Sequence, residues 1–173
     1  METAIIIVIA VLQSIGVSLG VGSSTIAITQ FFIAINDGKI DKAERRMMEV
    51  AYIVLRVAMG LILVTALAHM AIVWYVLDLQ GLAIEQYWNT FTLALWVIIA
   101  VLFTNAFAMT KHWVPSTLGP GIQGGSWYTL GILFALVSIG VNSFTVMQFL
   151  LAYAGMVCLF IAVVNGVMAC QRD

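Results

Sequence analysis

The sequence predicts an all-α fold: a polytopic membrane helix bundle of about five transmembrane helices, N-out/C-in, forming a single domain over residues 1–173. Three observations predict it. First, 63% of residues are apolar, 9% are charged and the mean hydropathy is +1.10, against roughly 45–50% and about 25% in soluble domains. So little polar surface cannot cover the chain in water, and the bilayer must be its solvent. Second, five apolar segments, at about 4–35, 47–77, 87–109, 127–141 and 146–168, approach or exceed the length needed to cross a hydrocarbon core of about 30 Å as helix. Short-range alternation is missing, and an open strand would leave backbone groups unpaired in lipid. Third, bases fall on alternate loops. Lys39, Lys42, Arg45 and Arg46 are in the first, Lys111 is in the third and Arg172 in the tail. The positive-inside rule puts these three regions in the cytoplasm.

The opening "METAIIIVIAVLQSIG" has no basic n-region and no clear small-x-small cleavage site. It reads as a retained first span. Thirty-two helical residues from 4 to 35 extend about 48 Å, so this span must tilt, protrude or break. Its centre holds Gly16, Gly20 and Ser24 at i,i+4 spacing, with Gln13 on nearly the same face. The favoured reading is a packing groove for another helix, within the protomer or across a homo-oligomer. The alternative is an unwound centre whose freed backbone groups bind a solute.

The first loop, "INDGKIDKAERRMM", resembles the back half of an EF-hand, but Ile33 and Ile35 stand where the first oxygen ligands should be. This argues against calcium. Asn36-Asp37-Gly38 is turn chemistry, and Asp41-x-x-Glu44 is a capping box opening the second span. Asp41–Arg45 and Arg45–Glu49 are i,i+4 pairs of opposite sign, each contributing a few tenths of a kcal/mol.

Arg56 lies about two turns into the second span, above Tyr52 and Glu49. A base at that depth pairs or snorkels. Further along stand Thr65 and His69, one turn apart. His69 is the histidine expected inside the membrane, as an interhelical tie, a proton or solute ligand, or a haem ligand. His112 falls at the opposite face, so haem b on His69 would need another axial ligand. No metal or other cofactor is expected.

The second loop, "DLQGLAIEQ", carries Asp78 and Glu85 without a base, as an outer loop should. Trp74, Tyr75, Tyr87 and Trp88 mark the outer boundary, and Trp113, Trp127 and Tyr128 the inner one. The third loop, "KHWVPSTLGPGIQGGSW", holds both prolines and four glycines, and misses the P-loop ending. It is expected to be an interfacial linker, with a re-entrant segment over 113–125 as the alternative. The fourth span is then short and joins the fifth through "GVNSFT". Thr104, Asn105, Ser138, Asn142, Gln148 and Asn165 are expected to tie helices together, at about 0.6 kcal/mol each. Cys158 and Cys170 read as apolar fillers.

The run "LQSIGVSLGVGSSTIAITQFFIAINDGKIDKAERRM", followed by "TNAFAM", resembles bacterial multi-pass membrane proteins that are similar to the copper-resistance D family. The resemblance covers the first three spans and implies a helical bundle. In that family a histidine early in the first helix could ligate haem or copper. Gln13 stands there in this chain.

No span has a central lysine for a retinal Schiff base, and no HExxH, paired intramembrane aspartates or nucleophile–His–acid set occurs. An enzyme is not expected, and the bases are too few and too localised for a nucleic-acid partner. The leading expectation is a homo-oligomeric channel or transporter for a small solute or ion in a bacterial cytoplasmic (inner) membrane. It would contact membrane lipid, with Gln13, Arg56, Thr65 and His69 lining the path. The alternatives are a haem- or quinone-associated redox subunit and a structural subunit without its own site. The predicted orientation is checked by cysteine labelling. Lys42→Cys should react only from the cytoplasmic side and Gln80→Cys only from outside; cytoplasmic labelling of position 80 would overturn it.

Overall fold

A computed structural model describes residues 2–36, 41–79, 88–115, 117–141 and 143–170. Five helices follow in chain order: α1 (Glu2–Asn36), α2 (Lys42–Leu79), α3 (Thr90–Thr110), α4 (Gly119–Ser138) and α5 (Val146–Cys170). There is no strand among the described residues. Four helices, α1, α2, α3 and α5, are long and apolar enough to cross a membrane. The protein is a helical membrane bundle. The predicted Asp37-Gly38 turn, Glu85, Tyr87, Asn142 and Arg172 lie outside the described residues, as does the Cys170 side chain.

Local chemistry sets the helix ends. The capping box opening α2 is formed: the Asp41 N–H donates to Glu44 Oε2 (3.0 Å) and the Glu44 N–H to Asp41 Oδ1 (2.7 Å). Thr145 and Gln148 form a second box before α5, at 2.9 and 3.2 Å. Asn89 caps α3 through the Thr92 N–H, so α3 starts three residues later than hydropathy suggested. Its C-terminus closes in a Schellman pattern. His112 takes φ 56°, and the N–H groups of His112 and Trp113 donate to the carbonyls of Met109 and Ala108. The Trp113 ring then packs edge-on against Phe107. Gly140, at φ 81°, ends α4 in the same way.

Helix α1 is continuous, which corrects the unwound-centre reading. Ser14, Ser23, Thr25 and Thr29 each donate to the carbonyl four residues earlier, so their hydroxyls are satisfied without breaking the helix. At 35 residues it extends about 52 Å and must tilt or protrude. It pairs along its length with α2. Gly16 abuts Leu61 and Ile62, and a Cβ on Gly20 would collide with the ring of Trp127 from α4. Gly16, Gly20 and Ser24 are therefore buried inside the protomer. The small-residue groove exists, but α2 and α4 fill it. It offers no surface for the homo-oligomer predicted through it.

The larger correction concerns α4. The predicted linker "GPGIQGG" is its first two turns, so the fourth helix begins at Gly119 and not at Trp127, and the segment 119–125 is helix and not a linker. Proline at the second helical position costs little, because its missing N–H would have no intrahelical partner there. Glycines inside a helix cost about 1 kcal/mol each relative to alanine, and here close packing offsets that. A Cβ on Gly121 or Gly125 would meet the α5 backbone, 2.8 Å from the Cα of Ile161 or Val157. Gly124 lies likewise against Phe160 and Ile28.

Helix α4 thus sits at the centre of the bundle, touching α1, α3 and α5. Trp127, Leu130 and Ser126 are fully buried at its middle. Hydrogen bonds reinforce the packing: Ser126 with Tyr153 (2.8 Å), Thr25 with Tyr128 (2.7 Å), and Asn165 Nδ2 to the Thr117 carbonyl (3.1 Å). Where protein encloses it, from Gly119 to about Leu133, α4 has less need of the apolar surface that the lipid-facing helices carry. Gly125→Ala should destabilise the detergent-solubilised protein by about 1–3 kcal/mol through overpacking. Gly155→Ala, where a Cβ meets nothing within 4 Å, should be neutral or stabilising by up to about 1 kcal/mol. Unfolding followed by circular dichroism compares the two.

Candidate functional site

The bundle places one charged side chain from a membrane span beside a buried polar network. On α2, Tyr52, Leu55, Arg56 and Met59 follow one helical face, and they meet Ala106, Met109 and Thr110 of α3 and Gln123 of α4 around a cleft of about 270 Å³. A smaller cavity of about 40 Å³, lined by Ser24, Ala27, Ile28 and Pro120, shares Tyr52, Leu55, Met109 and Gln123 with it. Gln123 therefore stands between the two.

The start of α4 fixes how Gln123 is presented. Gly119 lets α4 approach α3, since a Cβ there would press on the Met109 side chain at 2.7 Å. This brings the Gly119 carbonyl within 3.0 Å of Asn105 Nδ2, which also donates to Gln123 Oε1 at 3.1 Å. A backbone carbonyl can only accept, so it identifies the nitrogen of Asn105 and, in turn, the oxygen of Gln123. The Gln123 amide nitrogen then points the other way, toward Met59 Sδ at 3.7 Å. Sulfur is a weak acceptor, so this NH₂ keeps donor capacity. Asn105 Oδ1 is buried and accepts no hydrogen bond.

Arg56 is exposed at the cleft. It makes no ion pair or hydrogen bond with another described residue, Glu49 included. Thr110 spends its hydroxyl proton on the Ala106 carbonyl. Among the described residues no carboxylate lines the cleft. A guanidinium and a carboxamide NH₂ therefore offer hydrogen-bond donors within walls of leucine, alanine and methionine. Such a site suits an oxygen acceptor, with the strongest contact going to a charged one.

The four predicted path residues do not converge. Arg56 belongs to the cleft. Thr65 is buried on α2 and donates to the carbonyls of Leu61 and Ile62 in its own helix. His69 is thirteen residues beyond Arg56 on the same helix, or about 20 Å. It is half-buried and interacts with another group. His112 follows Met109, a cleft residue, and so stands at the Arg56 end of the bundle, far from His69. Gln13 is part-buried on α1, outside the residues that line the cleft. Among the described residues, no group of three or more His, Cys, Asp or Glu side chains could hold a metal ion.

Sequence reading missed Gln123 because its segment looked like a loop. The available signal was the Gly121-x-x-x-Gly125 spacing, with a proline where a helix can start. Comparison with protein-family models, curated proteins and solved structures finds no match. The Asn105–Gln123 bond is open to a double-mutant cycle with Asn105→Ala and Gln123→Ala. A coupling of about 0.6–1.7 kcal/mol in detergent unfolding is expected; additive losses would mean the bond is not made.

Proposed function

We propose that the protein is a carrier for a small solute bearing an anionic or carbonyl oxygen, which binds in the cleft between Arg56 and Gln123. The observation carrying this reading is that both polar groups offer donors to one apolar cleft in which no acid among the described residues neutralises Arg56. A base held within a membrane span without a protein partner is costly, which makes it a functional residue by default. The apolar walls exclude competing water and strengthen the charge–acceptor contact.

A carrier suits the packing better than an open pore. Beyond Gln123 the interior is filled by Trp127, Ile62, Ile98, Leu102 and Leu130, all under 2% exposed. A solute reaching Gln123 meets this plug, so passage requires the helices to rearrange around it, as in alternating access. The smaller cavity beside Ser24 extends the cleft toward α1 and gives a bound solute room to advance when they do.

The test is uptake by proteoliposomes of radiolabelled pyruvate, inorganic phosphate and chloride. At least one should enter faster than into empty liposomes. Arg56→Gln should slow that entry about tenfold or more, since hydrogen bonds to charged groups are worth about 1.5–3 kcal/mol. Val57→Ala, on the outward face of α2 at 56% exposure, should leave it unchanged. Uptake equal to that of empty liposomes for all three, or uptake indifferent to Arg56→Gln, would overturn the proposal.

A further inference from the structure

A second concavity lies on the outer side of the α1–α2 pair, away from the cleft. It is a groove of about 700 Å³ between Ser18, Gly22 and Ile26 of α1 and Arg46, Val50 and Val54 of α2. Its walls are almost wholly apolar. Gly22 keeps it open, for a Cβ there would meet no atom within 4 Å. From Arg46 the groove runs along α2 to Val54, about 12 Å of helix. That lies within one leaflet, half of a hydrocarbon core of about 30 Å. Its one charged lining residue, Arg46, lies near the end where α2 begins, the end where the basic 42–46 run leaves the membrane.

We infer that this groove holds an acyl chain of an anionic phospholipid whose headgroup sits on Arg46. Charge and length together select this occupant. The groove lies within the depth of one leaflet and carries a cation at its polar end. A second copy of the chain fits poorly. A two-fold axis along the membrane normal would bring the two Arg46 side chains to the same depth, with no acid in either groove to separate them. On the positive-inside reading this is the cytoplasmic leaflet, where anionic lipids attract juxtamembrane bases.

Native mass spectrometry of the detergent-solubilised full chain tests the assignment with dioleoyl phosphatidylglycerol and dioleoyl phosphatidylcholine. Phosphatidylglycerol should be retained about fivefold more than phosphatidylcholine, the ratio corresponding to about 1 kcal/mol per base near a headgroup. Arg46→Gln should abolish that preference. Arg45→Gln, a base outside the groove lining, should preserve it. Gly22→Leu should lower retention of both lipids with helicity unchanged. Equal retention by the unmutated chain, or equal loss in the Arg45 and Arg46 variants, would overturn the inference in favour of diffuse surface charge. A lipid-free dimer dispersed by Gly22→Leu would overturn it in favour of a second copy.

Discussion

The bundle depends on how closely α4 can approach its neighbours. Between helices in lipid there is little hydrophobic driving force, because the tails are as apolar as leucine, and association rests on close packing and hydrogen bonds. Gly121 and Gly125 remove the side chains that would hold the α5 backbone away, and Gly20 makes room for Trp127 in the same way on α1. The helix with the weakest claim to membrane apolarity can then take the centre. The Ser126–Tyr153 and Asn165–Thr117 bonds lie along the contact that the glycines create.

The same approach builds the cleft. Gly119 brings the start of α4 against α3, where Asn105 bonds both the Gly119 carbonyl and the Gln123 side chain. The amide orientation follows from that backbone acceptor and turns a donor toward α2. Arg56 reaches the cleft by a different route: the i,i+4 step from Tyr52 puts it on the face that meets α3 and α4. One turn above Gln123 on α4, Trp127 closes the interior. Gln123 and Trp127 thus belong to one helix, so a shift of α4 would move both together.

Helix α2 works on two fronts. The face carrying Tyr52, Arg56 and Met59 looks into the cleft, and the face carrying Arg46, Val50 and Val54 borders the groove shared with α1. Both arginines stand in its first four turns, at the charge-dense end that the Asp41–Glu44 box fixes in register. Their chemistry differs with their surroundings. Arg46 stands among the bases at the start of α2, whereas Arg56 lies ten residues further along and shares its cleft with a carboxamide.

By itself the sequence determined what one segment and one solvent decide. Apolar runs in a bilayer must be helices, so an all-α bundle and the extents of α1, α2, α3 and α5 were readable to within a few residues. The Asp41-x-x-Glu44 box was readable too, because capping is a local exchange of hydrogen bonds. The small-residue face of α1 was legible as a packing surface, but its partner was not, since spacing says that a helix can come close without saying which one. Tertiary structure alone decided the rest. It made "GPGIQGG" a buried helix, because the cost of its glycines is offset by contact with α5, α3 and α1. It brought Asn105 and Gln123, eighteen residues apart, into one network and set Arg56 beside it. Hydropathy measures what a segment gains from lipid, and these residues face protein.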